Sequence, residues 1–183
     1  ILSNIRDWQI CASIDGTGKI GEYIRDGMSY NTFYNNYVTG MSYEKTPNQM
    51  RLDFTLTLPG LYEVENMFDL SKKLDTMLLA KVTFAFDPSI VMSPMCLPRS
   101  LLNNFIDNLL KVCKDGNWKQ QPLIDVLENI KNRPTFEEEW PAEYKDALSR
   151  GKSNLLKIER IRNDKFTMEN ILKDEILAWW RTI

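Results

Sequence analysis

The most constraining part of this sequence is the segment 50–58. Leu52, Phe54, Leu56 and Leu58 alternate there with Arg51, Asp53, Thr55 and Thr57, and Pro59-Gly60 stops the run. A period of two puts the four leucine and phenylalanine side chains on one face of a strand and the polar ones on the other. The chain must therefore build a sheet with one dry and one wet face, and something else must cover the dry one.

The flanking residues extend this expectation. Segments 8–14 and 19–24 bracket Asp15-Gly16-Thr17-Gly18, a connection suited to a short hairpin. Residues 30–38, rich in Tyr, Phe and Asn, read as a further strand or an ordered loop. Residues 61–79 read as helix with a break near Asp69, a residue able to cap a second piece. The short apolar run 81–86 reads as a strand, and three prolines within 87–99 exclude regular structure there.

From Ser100 the spacing of apolar residues becomes helical. Leu101, Leu102, Phe105, Ile106, Leu109, Leu110 and Cys113 form one stripe. Pro122 suits the first turn of a second helix facing inward through Leu123, Val126, Leu127 and Ile130. A shorter helix over 142–149 is expected to break at Gly151, with another carrying Leu155, Ile158 and Ile161. Thr167 caps the last one, whose stripe is Met168, Ile171, Leu172, Ile176, Trp179, Trp180 and Ile183. Strands first and helices after predict an α+β fold: a β-rich N-terminal part with a small, mainly antiparallel sheet, then a helical C-terminal half. The 183 residues suit one domain over 1–183, any sub-division falling between a β-rich 1–90 and a helical 100–183.

Composition narrows the chemistry. There is no histidine, so Ser-His-Asp and Cys-His nucleophile systems cannot be built from this chain alone. Cys11, Cys96 and Cys113 are widely spaced with no CxxC pair, which offers no zinc framework. An odd number of scattered thiols suits a reducing, intracellular compartment. Cys113, on a helical stripe, is expected to be buried, whereas Cys96 lies in a loop. No apolar run approaches the ~20 residues of a membrane-crossing helix. No metal, cofactor or catalytic residue is implied.

Six motifs have competing readings. Gly16-Thr17-Gly18-Lys19-Ile20-Gly21 has the GxGxxG spacing of a pyrophosphate loop, but Gly27 follows too soon for a long helix and no parallel βαβ pattern is visible. The glycines are read as turn residues. Glu143-Tyr144-Lys145 has the ExK spacing of some metal-dependent nuclease sites, yet Pro141-Ala142 looks like a helix start. Glu137-Glu138-Glu139 fits the positive end of a helix better than a metal site. The segment 150–165 holds Arg150, Lys152, Lys157, Arg160, Arg162 and Lys165 against Glu159 and Asp164; it reads first as the wet face of a helix or a pairing with the acidic run near Glu138, with a protein contact or a grip on phosphates as the alternatives. Finally, Tyr30, Phe33, Tyr34 and Tyr37 sit among asparagines, and Trp179-Trp180 crown the last helix, two compositions that suit protein contacts and equally suit packing on the core.

The sequence thus predicts a non-enzymatic interaction or assembly protein, a structural subunit of a larger complex such as a viral one. Its contacts with a protein partner or with itself are assigned to Tyr30, Phe33, Tyr34, Tyr37, Trp179 and Trp180. The alternative is a nucleic-acid-associated protein with phosphate contacts from Arg150, Lys152, Lys157, Arg160 and Arg162. A histidine-free, carboxylate- or metal-dependent enzyme is the third expectation.

Overall fold

The computed structural model describes residues 4–183. Strands β1 (Ile10–Ile14), β2 (Met50–Leu56) and β3 (Met77–Val82) form one sheet in the order β1-β2-β3. Both pairings are parallel. The chain is α+β as its pattern implied, but the mainly antiparallel sheet expected from that pattern is replaced by a wholly parallel one.

The correction has a local cause. The presumed second arm of a hairpin is helix α1 (Gly18–Ile24), and the Tyr-rich stretch is helix α2 (Tyr30–Met41). Together they turn the connection after β1 into a crossover, which parallel neighbours require. In α2 the aromatic residues recur at helical spacing. Tyr30 lies near Tyr34 and Phe33 stacks on Tyr37, with ring centroids 6.3 and 6.1 Å apart. Ser29 caps this helix, its Oγ accepting from the Thr32 amide.

Beyond β2, a 3-10 turn at Pro59–Glu63 leads into α3 (Val64–Leu74), and β3 follows at once, four residues earlier than its sequence signal. Short turns at Ile90–Met92 and Pro94–Cys96 then introduce α4 (Arg99–Val112), α5 (Gln121–Asn132), α6 (Phe136–Glu139) and α7 (Tyr144–Arg162). The chain finishes with α8 (Met168–Ile171) and α9 (Asp174–Thr182).

Two expected helix ends moved. Gly151 does not break α7, because it is there for packing: a Cβ on it would lie 2.6 Å from Ile90 Cγ2. The expected last helix is two, parted at Leu172-Lys173. The dry face of the sheet works as predicted, with Leu52, Phe54, Leu56 and Leu78 fully buried. Each such burial contributes roughly 1.5–3 kcal/mol. One cluster of buried side chains extends from Ile14 and these residues to Ile176 and Trp180 near the C-terminal end.

Candidate functional site

Strand order fixes which side of the sheet stays available. Crossovers between parallel strands are right-handed almost without exception. In the order β1-β2-β3 both crossovers step the same way, so their helices stack on one face. Tyr37 of α2 ties that layer down. Its hydroxyl lies 2.6 Å from Thr76 Oγ1, which in turn donates to Met50 O at 3.0 Å.

The opposite face carries Cys11 and Ser13 of β1, Arg51, Asp53 and Thr55 of β2, and Met77, Leu79 and Lys81 of β3. Cys11 and Lys81 are exposed and the others half-buried. Ser13 stands level with Asp53, and Thr55 level with Lys81. Lys81 Nζ reaches back along the sheet to Asp53 Oδ2 at 2.5 Å. Arg51 Nε donates to Asn48 O at 3.0 Å. Parallel sheets are ordinarily covered on both faces. Here the second face is mostly polar and charged, and none of its eight side chains is fully buried.

The sheet also has an open edge. The Ile10 amide donates to Gln49 O at 2.8 Å, toward β2. Since successive residues of a strand turn their backbone groups to opposite sides, the amides of Cys11 and Ser13 point away from β2. Among the described residues no strand pairs with that side of β1.

Ligands of open α/β sheets gather beyond the carboxyl ends of the strands. In this protein that place is taken by its own side chains. Glu63 is buried, and its Oε2 accepts from the Thr17 amide at 2.6 Å and from the Thr17 hydroxyl. Asp15, also buried, is paired with Arg25. Leu58 donates its amide to Met92 O at 2.8 Å, which draws the Ile90–Met92 turn across the end of β2. The GxGxxG segment therefore joins a strand to a helix after all, rather than forming a hairpin. Its glycines serve close packing: a Cβ on Gly21 would lie 2.1 Å from Gly16 O. Its anion position is filled by the Glu63 carboxylate. Among the described residues no cluster of Cys, Asp and Glu is arranged to hold a metal ion.

The residues assigned to contacts from the sequence are scattered. Tyr37 and Trp180 are buried, while Tyr30, Phe33, Tyr34 and Trp179 are partly covered by the same core. Of the basic segment, Arg150 pairs with Asp87 at 3.2 Å. Lys152 donates to Trp180 O at 2.7 Å and lies over the Trp180 ring. Arg162 donates to Tyr23 O at 3.1 Å. Lys157 and Arg160 remain on the surface. Cys96 proves as buried as Cys113. Burial pushes the Cys113 thiol up to about 11 and that of Cys96 higher still. Cys11 alone of the three is exposed.

Sequence reasoning missed the open face as a unit. The alternation of Arg51, Asp53 and Thr55 was visible, but Ser13 and Lys81 join them only once the strands are known to run parallel. No helix among the described residues is long and apolar enough to cross a membrane. No family model, curated protein or solved structure matches the chain.

Proposed function

We propose that the protein is an interaction and assembly module, docking through the polar face and open edge of its sheet. One observation carries this reading: the two crossovers of the parallel sheet stack their helices on one face, and Ser13, Arg51, Asp53, Thr55 and Lys81 are aligned on the other. A partner laid on that face supplies the cover that parallel sheets ordinarily have. A strand of the partner placed beside β1 pairs with the outward backbone groups of Cys11 and Ser13. The charged residues set the register of docking more than its strength, since Asp53 and Lys81 already satisfy each other. The nucleic-acid reading has less support, because Arg150, Lys152 and Arg162 are engaged within the fold.

Cys11 provides the test. A benzophenone maleimide added to the native protein should label Cys11 selectively, because Cys96 and Cys113 are buried. Photolysis in extracts of cells that produce the protein should yield one discrete adduct. That adduct should vanish when Asp53→Lys and Ser13→Lys are introduced. The same label carried by Lys114→Cys in a Cys11→Ser background should not yield it. Adducts that are identical from both positions, or unchanged by the face substitutions, contradict the proposal.

A further inference from the structure

The inner side of β1 is incompletely covered. Ile10, Ala12 and Ile14 stand level with Met50, Leu52 and Phe54 and share the dry face of the sheet with them. Ile14 is fully buried, but Ile10 is 37% exposed, so the helical cover stops short at the amino end of this strand. The backbone N–H and C=O groups of Cys11 and Ser13 turn outward, and among the described residues they find no partner. The strand carries no charge, proline or bulge, the features by which edge strands ordinarily repel a neighbour. On the far edge of the sheet, by contrast, the Leu78 amide already donates to Lys119 O at 2.9 Å.

Symmetry restricts how such a strand meets an inverted copy of itself. The registers that keep most of β1 overlapped are centred on Cys11, Ala12 or Ser13, since outward groups must face outward groups. Strand β2 decides among them, because Arg51 stands level with Cys11 and Asp53 level with Ser13. A centre at Cys11 sets Arg51 in one row with its own copy, and a centre at Ser13 does the same to Asp53. A centre at Ala12 sets Cys11 opposite Ser13, so each row has Arg51 on one side of the joint and Asp53 on the other. That register also places the exposed Ile10 opposite Ile14 on the inner face and the small Ala12 opposite itself. All the outward N–H and C=O groups of Cys11 and Ser13 are then satisfied.

Resting on the reading of β1 as the docking edge, we infer that its occupant is a second copy of this chain, paired antiparallel about a two-fold axis at Ala12. The two three-stranded sheets join into one continuous sheet with both crossover layers on the same side. A foreign strand gains the same backbone bonds, but a copy brings Arg51 and Asp53 in the inverted order that completes each row. The joint uses the same edge of both copies, and Lys119 occupies part of the far edge, so the assembly closes as a dimer instead of growing into a fibre.

Sedimentation velocity of the purified chain should show its mass rising with concentration from 21.4 kDa toward twice that value. Cys11→Pro removes an outward N–H that the monomer does not use, and should hold the mass at the lower value with the circular dichroism unchanged. Oxidation reads the register. Directly opposed residues of a non-hydrogen-bonded pair lie about 4.5 Å apart between Cα atoms, and diagonal neighbours about 7–8 Å. In a Cys11→Ser background, Ala12→Cys should therefore form an interchain disulfide at least about tenfold faster than Lys114→Cys. The diagonal Cys11 thiols of the unaltered chain should not. A mass of 21.4 kDa at every concentration overturns the inference. So does an Ala12→Cys chain that oxidises no faster than Lys114→Cys, or an unaltered chain that oxidises as fast as Ala12→Cys. A monomer that still gives a foreign adduct through Cys11 in extracts overturns the second copy alone, whereas a monomer without any adduct overturns the docking edge as well.

Discussion

The Glu63 carboxylate closes over Thr17, accepting from both its amide and its hydroxyl across 46 residues of sequence. Its other oxygen accepts from Asn66 Nδ2 at 3.2 Å. This contact joins the loop after β1 to the 3-10 turn after β2 and fills the anion position at the start of α1. Replacing the carboxylate leaves a poorly solvated amide without a partner. Glu63→Ala should therefore cost about 2–3 kcal/mol, and Glu63→Gln less. Urea denaturation of both variants and of Thr17→Val, completed as a double-mutant cycle, measures the coupling. Additive losses would show that the two residues act independently.

Trp179 and Trp180 are neighbours in sequence with different surroundings. Trp180 is fully buried beneath Lys152, whereas Trp179 is only partly covered. Trp180→Ala should cost about 3–5 kcal/mol of monomer stability, and Trp179→Ala distinctly less. Trp180→Phe should be milder than alanine, because it also removes an indole N–H that has no partner. Thermal or urea unfolding of the purified variants gives the ranking. Equal losses at the two positions would contradict it.

Acid should loosen the corner where α4, α5 and α6 meet. Arg99 donates to both oxygens of Glu138 and to Lys131 O, and Thr135 donates its amide to Glu138 Oε2 at 2.8 Å. The Arg99 guanidinium, then the Thr135 amide, hold the Glu138 carboxyl down at about 2. A depressed value means the contribution is fully present above the ordinary value of 4.5 and fades as pH falls from there toward 2. Because Glu138 is 44% exposed, solvent screening keeps the effect modest. Glu138→Gln should lose stability at neutral pH, and its deficit against wild type should shrink below pH 4.5. Urea titrations across that range check it. A deficit independent of pH would show that the carboxylate charge is not what matters.

Asp53 and Lys81 should behave oppositely to Glu63. Lys81 is 52% exposed, so their pair belongs to the weak surface class despite its short distance. Asp53→Ala or Lys81→Ala should change the stability of the isolated chain by no more than about 1 kcal/mol. The same substitutions should reduce the Cys11 cross-link described above. A large loss of stability would mean that the pair supports the fold rather than a contact.

Much of this architecture was legible in the sequence, and the part that was not has a common origin. Leu52, Phe54, Leu56 and Leu58 announced β2 and its dry face because alternation needs no tertiary information. The stripes of α4 and α5 and the burial of Cys113 were equally plain. What failed was the segment 19–38. Ile20 and Ile24 at helical spacing were read as one arm of a hairpin, and Tyr30, Phe33, Tyr34 and Tyr37 as an extended aromatic run, although their intervals of three and four fit a helix. That single misreading reversed the direction of strand pairing. It thereby hid the open face, since Ser13, Asp53 and Lys81 come together only in a parallel register. Gly151 misled for another reason: its packing against Ile90 is invisible until the two segments meet.

The most direct measurement is amide hydrogen exchange of the isolated protein, resolved along β1. The amides of Ala12 and Ile14 face β2, whereas those of Cys11 and Ser13 face the open edge. An available docking edge requires Cys11 and Ser13 to exchange far faster than Ala12 and Ile14 in the monomer. In the cross-linked assembly the difference should disappear as the partner strand protects the outer pair. Equal protection of all four amides in the monomer would mean that the edge is already covered, and would contradict the account.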